Sequence, residues 1–290
     1  PSNHPVIVHL APEANVDYWA VDVPEAARKL IAAFWPGPLT LILKRAPHIP
    51  EAVAGGQDSI GLRCPSHPVA QALLREFRQG KGGIAAPSAN RFGRVSPTTA
   101  QHVRDEFGEG PESPVACILD GGQSEVGIES TIVDLSRMDT AGPVLLRPGH
   151  VSADDIERVI GIAPRLPDAA APRASGTLEA HYAPHTPVAL VGTTDLPTVV
   201  QKLRSSGRRV AALLHMAALL PEDAVQIMLP SMPDGYAHGL YAALRAADAV
   251  GADIILVEAP PAGNEWRGIN DRLRRAAHDS LGVISRLLEK

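Results

Sequence analysis

The sequence predicts an α/β fold in two layered domains, and three observations predict it. Short β-branched runs alternate with amphipathic stretches over the first 165 residues. The apolar period then lapses across a stretch rich in Pro, Ala, Arg and Gly, as in a linker. After residue 187 the same alternation resumes for about 100 residues, the length of a Rossmann-like three-layer domain. The expected division is therefore 1–165, a linker at 166–187, and 188–290.

In the first domain the strand candidates are Pro5 to Leu10, Leu39 to Leu43, Ser59 to Arg63, Gly83 to Ala86, Ala116 to Leu119, Ser130 to Asp134 and Val144 to Arg147. Between them, Pro24 to Phe34, Pro68 to Phe77 and Thr98 to Phe107 place apolar residues at helical spacing. A further helix opens at Ser152, with Asp155 three residues on in a capping-box-like pattern. In the second domain the expected order is strand Val188 to Val191, helix Leu196 to Ser205, strand Arg209 to Leu214, helix Gly235 to Ala249 and strand Asp253 to Val257. A final helix runs from about Gly268 to Leu288, with the Arg272, Arg274 and Arg275 face expected in solvent.

A formal charge of −5 argues against a wholly basic nucleic-acid binder and leaves room for a local basic cleft. Two cysteines, Cys64 and Cys117, each beside an apolar run, read as buried thiols of a reducing compartment and not as a disulfide framework. No apolar stretch approaches the roughly 20 residues that span a bilayer, so a cytoplasmic protein is expected.

Familiar catalytic motifs are absent: there is no Walker loop, no His-Glu-x-x-His and no Gly-x-Ser-x-Gly elbow. Gly80-Lys81-Gly82-Gly83-Ile84-Ala85 matches a dinucleotide fingerprint by letters only, because it precedes a strand. His181 and His185 have metal-pair spacing, but Pro184 between them argues against a helix, and no protein metal site is expected. What remains is polar residues at strand ends: His9, Arg63, Ser88, Asn90, Ser96, Ser130 and Arg147. Arginines ending apolar strands, Arg63 and Arg147, offer planar forks for carboxylate or phosphate, or else serve as structural ion-pair partners. The run Ala86-Pro87-Ser88-Ala89-Asn90 ends a strand at proline and supplies small side chains and donors; it reads either as an anion-binding strand end or as a plain Ser/Asn turn. Tyr182, within His181-Tyr182-Ala183-Pro184-His185, either pins the linker to a domain surface or belongs to a lid over a ligand.

These residues carry a family resemblance. His4-Pro5-Val6-Ile7-Val8-His9, Gly61-Leu62-Arg63-x-Pro65, Ala86-Pro87-Ser88-Ala89-Asn90, Ser96-Pro97-Thr98, Glu129-Ser130-Thr131-Ile132-Val133-Asp134 and Leu146-Arg147-Pro148-Gly149 resemble the successive motifs of the YrdC-like family. With His181-Tyr182-Ala183-Pro184, Leu240-Tyr241-x-Ala243-Leu244-Arg245 and Asn270-x-Arg272-Leu273, nearly the whole chain resembles the long, two-domain L-threonylcarbamoyladenylate synthases. The resemblance implies a YrdC-like twisted-sheet catalytic domain at 1–165 and a smaller α/β domain at 188–290. It also implies condensation of L-threonine, bicarbonate and ATP, with Mg2+, into threonylcarbamoyl-AMP and pyrophosphate, a product passed to the machinery that modifies adenosine in tRNA.

By the same resemblance Arg63 takes the threonine carboxylate, with His9, Ser130 and the Ala86 backbone around the rest of the amino acid. Ser88, Asn90, Ser96 and Arg147 hold ATP, with His4 and Ser59 nearby and His181 or Tyr182 closing over it. No catalytic nucleophile is implied; Arg63 and Arg147 act by positioning and charge neutralisation. The chain opens on Pro1 and reaches a strand almost at once, so a sheet element is expected upstream, and the resemblance implies that a Thr-containing motif and a Lys-x-Arg pair lie there too. The alternative from a different class is an RNA-binding or regulatory module that uses the same surface without turnover.

Overall fold

The computed structural model describes residues 3–289, so the expectation about what precedes Pro1 lies outside the described residues. In chain order the elements are β1 (Ile7–Leu10), β2 (Ala20–Val21), α1 (Glu25–Phe34), β3 (Leu39–Arg45), β4 (Ser59–Arg63), α2 (Pro68–Glu76), β5 (Gly83–Ala85) and α3 (Ala100–Phe107). They continue with β6 (Thr131–Asp134), α4 (Met138–Ala141), β7 (Val144–Arg147), α5 (Ala153–Ile160), β8 (Val188–Val191) and α6 (Leu196–Ser205). The last are β9 (Val210–Leu214), β10 (Val225–Met228), α7 (Pro233–Ala249), β11 (Ile254–Glu258), α8 (Arg267–Ala276) and α9 (Ser280–Leu288). The chain forms two compact units, Pro1–Pro87 with Glu129–Thr177, and Ser88–Ile128 with Leu178–Lys290.

The first unit is built on a mixed sheet of order β5-β1-β4-β3-β6-β7, with β2 paired beside β3. Side chains alternate across a strand, so one face is set by Val8, Leu10, Leu41, Leu43, Ile60 and Leu62, all buried in the main core. Helices α1 and α5 cover that face with Ala27, Leu30 and Ile156, none of them more than 0% exposed. Each fully buried leucine here contributes about 1.5–3 kcal/mol relative to exposure. Helix α5 starts where the capping-box pattern placed it: Ser152 Oγ accepts from Asp155 N at 3.1 Å, and the Asp155 carboxylate accepts from Ser152 N at 3.0 Å.

The second unit carries four parallel strands in the order β10-β9-β11-β8, with apolar residues on both faces, as a covered parallel sheet requires. Ala211, Leu213, Ile255 and Val257 meet α7 and α8 through Leu240, Leu244, Ile269 and Leu273. On the opposite face Ala212, Leu214, Ile254 and Leu256 meet α6 and α9. Both faces are thus helix-covered, and the Rossmann-like three-layer reading holds.

Several details depart from the sequence reading. Ala116 to Leu119 forms no strand; three exposed residues and a half-buried Ile118, without a ladder partner, have nothing to hold them extended. Cys117 is exposed, not buried, while Cys64 is buried. The final helix is two, α8 and α9, separated at Ala277–Asp279. Of the three arginines only Arg274 faces solvent; Asp271 pairs with all three, but Arg272, 0% exposed, lies over the Tyr182 ring and Arg275, 8% exposed, donates to the Leu178 carbonyl. The short elements β2, α4 and β10 carry too few residues to show a period.

The unit boundaries also run differently from 1–165, 166–187 and 188–290. Residues 88–128 belong with the C-terminal sheet, since Val95 and Ile128 lie in its core with α7. Residues 166–177 belong with the first unit: Ala174 is buried against Ile132 and Leu146, and Arg173 N donates to Gln57 Oε1 at 2.7 Å.

The Leu146-Arg147-Pro148-Gly149 turn leaves no room for a side chain at its last position. A Cβ on Gly149 would sit 2.5 Å from Thr131 N and 2.8 Å from Thr131 Oγ1. Gly149→Ala is therefore expected to destabilise the first unit by about 1–3 kcal/mol, read as a lower midpoint in urea with an unchanged slope.

Candidate functional site

One row of paired residues crosses the first sheet. His9 lies opposite Ile84 on β5 and opposite Arg63 on β4. The β3–β4 register, Leu41 with Leu62, carried one step further brings Thr40 opposite Arg63. Thr40 in turn pairs with Ile132, and Ile132 with Arg147. Neighbouring partners share a face, so His9, Arg63 and Thr40 stand on the face opposite the main core. Sequence spacing could not show this, because the strands arrive in the order β1, β3, β4, β6, β7 and only the ladder aligns them.

Hydrogen bonds lock the row. Thr40 Oγ1 and Ser130 Oγ lie 2.7 Å apart, both buried. Arg147, 3% exposed, donates from Nε to the Ser130 carbonyl at 3.0 Å, from Nη2 to Ser130 Oγ at 3.2 Å and from Nη1 to the Ser175 carbonyl at 2.9 Å. Ser175 Oγ donates to the Pro5 carbonyl at 2.9 Å, tying that support back to the entry of β1. Arg63 is aimed differently: Nε donates to the Gly37 carbonyl at 3.1 Å, leaving the terminal fork of the guanidinium for another acceptor. Gly37 is itself fixed by donating N–H to Cys64 O at 2.8 Å.

Among the described residues neither Arg63 nor Arg147 has a carboxylate within ion-pair distance. Burial, followed by repulsion from Arg147, lowers the Arg63 pKa to about 10. Burial, followed by the Arg63 charge, lowers His9 to about 4, and its buried Nδ1 has no hydrogen-bond partner. The site therefore offers two guanidinium charges, a neutral imidazole and two hydroxyls, which is the donor set for a small carboxylate-bearing molecule.

The other expected site residues fall as follows. Ala86 continues β5 and donates N–H to Ile7 O at 3.1 Å, beside the row. His4 precedes β1, whereas Ser59 stands at the far end of β4, four residues and about 13 Å of strand from Arg63. Ser88, Asn90, Ser96, His181 and Tyr182 all belong to the second unit. There Asn90 Nδ2 donates to Arg91 O at 2.9 Å and Arg94 O at 3.2 Å, while its buried Oδ1 has no partner. Ser88 is exposed and Ser96 buried.

Tyr182, 1% exposed with φ of +58°, stacks on Tyr241 at 5.8 Å and lies under the Arg272 guanidinium at 5.6 Å. The pinning reading describes its surroundings in the second unit. Thr40, Gly37 and Ser175 were not read from the sequence as site residues. Only Thr40 left a signal, as a lone hydroxyl inside the apolar run Leu39-Thr40-Leu41-Ile42-Leu43. No group of three or more His, Cys, Asp or Glu among the described residues is placed to hold a metal.

Fold and site together define an α/β protein with two arginines on one row of a mixed sheet and a second unit built on a parallel sheet. A family model described as "Telomere recombination", for the Sua5, YciO and YrdC proteins, matches residues 1–149. A second, described as "Threonylcarbamoyl-AMP synthase, C-terminal domain", matches residues 151–278. The chain is 34% identical to the threonylcarbamoyl-AMP synthase of Pyrococcus abyssi over 291 residues, covering 96% of this chain and 81% of that one. It is 37% identical to that of Bacillus subtilis over 287 residues, covering 96% and 80%. Among solved structures, P. abyssi Sua5 complexed with L-threonine aligns with a TM-score of 0.84 and 32% identity, covering 97% of this chain and 82% of that chain. A variant of the same protein with consecutive His and Tyr replaced by Ala aligns at 0.81, also 32% identical, covering 97% and 80%. The chain belongs to the Sua5/YrdC family, in its two-domain form.

The His9 environment has a pH signature. With a folded pKa of about 4 against an unfolded 6.5, the unfolded chain binds the extra proton between these values. The His9 contribution is intact above pH 6.5 and is lost as pH falls toward 4, by about 3 kcal/mol. Denaturation followed across pH 4–7 should show this slope, and His9→Gln should flatten it.

Proposed function

We propose that the chain is an L-threonylcarbamoyladenylate synthase, a nucleotidyltransferase joining L-threonine, bicarbonate or CO2, and ATP into threonylcarbamoyl-AMP and pyrophosphate. The observation that carries this reading is a half-buried Arg63 and a buried Arg147, neither with an acidic partner among the described residues, in a chain that aligns over 97% of its length with a relative solved with L-threonine. Arg63 presents its fork to the threonine carboxylate. His9, neutral near pH 7, and Ser130, held by Thr40 and Arg147, face the remainder of the amino acid with the Ala86 backbone.

The threonine amine captures CO2, or bicarbonate with loss of water, giving a carbamate. A carbamate oxygen attacks the α-phosphorus of ATP, the bond to the β-phosphate oxygen breaks, and pyrophosphate leaves. The protein supplies no nucleophile; its part is to position the reactants and to neutralise charge. Arg147 serves the nucleotide, as do Ser88, Asn90 and Ser96, with His4, Ser59, His181 and Tyr182 as further contacts. Magnesium enters as the MgATP substrate, carried on the phosphate oxygens. On this reading the product supplies the threonylcarbamoyl modification of tRNA adenosine, and the proposed location is the cytoplasm. No helix among the described residues is long and apolar enough to cross a membrane.

Pyrophosphate release from MgATP that requires both L-threonine and bicarbonate is the expected result. RNA binding without turnover would overturn the synthase in favour of an RNA-binding module. In calorimetry Arg63→Ala should weaken threonine binding by about a hundredfold while ATP affinity is kept, since one charge-assisted fork is lost. Unchanged threonine affinity would remove Arg63 from its assigned role.

A further inference from the structure

Two sequence signals on the C-terminal helices have no part in the chemistry just described: Leu240-Tyr241-x-Ala243-Leu244-Arg245 on α7, and Asn270-x-Arg272-Leu273 on α8, beside which the structure sets Asp271 and Arg275. Within the second unit both converge on the segments that carry Asn90, Ser96, His181 and Tyr182. Arg245 leaves the body of α7 and donates from Nη2 to the Val95 carbonyl, and from Nε to the Ser96 carbonyl at 3.4 Å. Glu106 of α3 holds Nη2 of the same guanidinium at 3.2 Å and accepts from Arg91 N at 2.8 Å through its other oxygen. Glu106 thus ties both ends of the loop from Arg91 to Ser96 to one ion pair, whose side chains are 17% and 12% exposed.

Further along, α7 grips the return of the same excursion. Gln123 Nε2 donates to the His238 carbonyl at 3.2 Å, and His238 Nδ1 lies 2.8 Å from the Glu125 carbonyl. Gly127 lies against Ala237 O so closely that no Cβ fits. Helix α8 treats the second segment in the same way. Arg275 donates to Leu178 O, its carbonyl accepts from His181 N at 3.3 Å, and Asp271 orients the guanidinium through Nε at 3.1 Å. Tyr182 is held between Tyr241 of α7 and Arg272 of α8, and Ala183 N donates to Gly93 O at 3.0 Å, which joins the two segments to each other.

We propose that the C-terminal unit is a positioning frame for the nucleotide-binding segments, with Arg245 as its central positioning residue. Arg245 touches no reacting atom; it sets the backbone of Val95 and Ser96, on which the Ser96 side chain and the preceding Asn90 depend. Two carbonyls and one carboxylate converge on a single mostly buried guanidinium, a set that lysine, with one compact ammonium, satisfies only in part. This inference rests on the reading of Ser96 and Asn90 as nucleotide contacts.

The test measures MgATP and L-threonine binding separately by calorimetry in the full chain, for Arg245→Ala, Arg245→Lys, Ser96→Ala, Asn90→Ala and a control, Arg204→Ala. Arg204 pairs with Asp223 on the outer side of the same unit. The expected result is a tenfold to hundredfold loss of ATP affinity in Arg245→Ala, with partial recovery in Arg245→Lys and threonine affinity unchanged. Amide exchange without ligand should accelerate at residues 90–98 while β9 and β11 stay protected. Arg204→Ala should leave both ligands unaffected. If Arg245→Ala lowers stability yet binds ATP normally, or weakens both ligands equally, the frame is overturned. If Ser96→Ala and Asn90→Ala bind ATP as tightly as the unaltered chain, the nucleotide reading of the loop fails first, and the frame falls with it.

Discussion

The constraint on which the rest of the first unit depends is the sheet register that lines up His9, Arg63, Thr40 and Arg147. A slip of one residue in any ladder would turn the affected side chain to the opposite, hydrophobic face. There a guanidinium would have to displace Leu41, Leu62 or Val133 from the main core. The apolar alternation of β1, β3 and β4 therefore fixes more than a core: by burying one set of positions it turns His9, Thr40 and Arg63 to the other face, beside a smaller apolar cluster that holds Ile7 and Ile42. The chemistry of the site follows from hydrophobic burial on the reverse side of the same sheet.

One buried and one half-buried guanidinium with no acid beside them among the described residues oppose folding, and their surroundings show how this is offset. Arg147 spends three N–H donors on two carbonyls and one hydroxyl. Backbone carbonyls stabilise a cation without cancelling its charge, so the field stays available to a ligand anion. Arg63 spends only Nε, on Gly37. Burial, followed by the Arg147 charge, holds the Arg63 pKa below the usual guanidinium value, the direction expected of a cation with few partners. Neutral His9 fits the same logic, because a third cation beside Arg63 would add repulsion.

Much of the arrangement was legible in the sequence. Strand runs ending in Arg63 and Arg147, the Ser152–Asp155 cap and the alternation after residue 187 all carry local signals, and the structure has them where they were read. What escaped depends on pairing between distant segments. Thr40 gains meaning only when β3 lies between β4 and β6. Gly37 and Ser175 act through backbone carbonyls, which every residue possesses, so no side-chain pattern marks them. Arg272 and Arg275 were read as a solvated face because three arginines in four residues usually are; Asp271 and the Tyr182 ring, one beside them and one far upstream, reverse that outcome. Cys117 was misread because its neighbours form a strand-like run that finds no ladder.

The division of the chain between Pro87 and Ser88 gives the strand end after β5 a double character. Ala86 is held by the ladder to β1, whereas Asn90 is held by carbonyls of its own loop, which Glu106 and Arg245 brace from α3 and α7. Proline at this boundary cannot donate a hydrogen bond, so the ladder ends there without leaving an orphaned N–H. A short polar run at such a point inherits its geometry from two separate cores, one on each side. Neither core could be inferred from the run itself, which explains why the same letters read equally well as a turn and as a binding strand end.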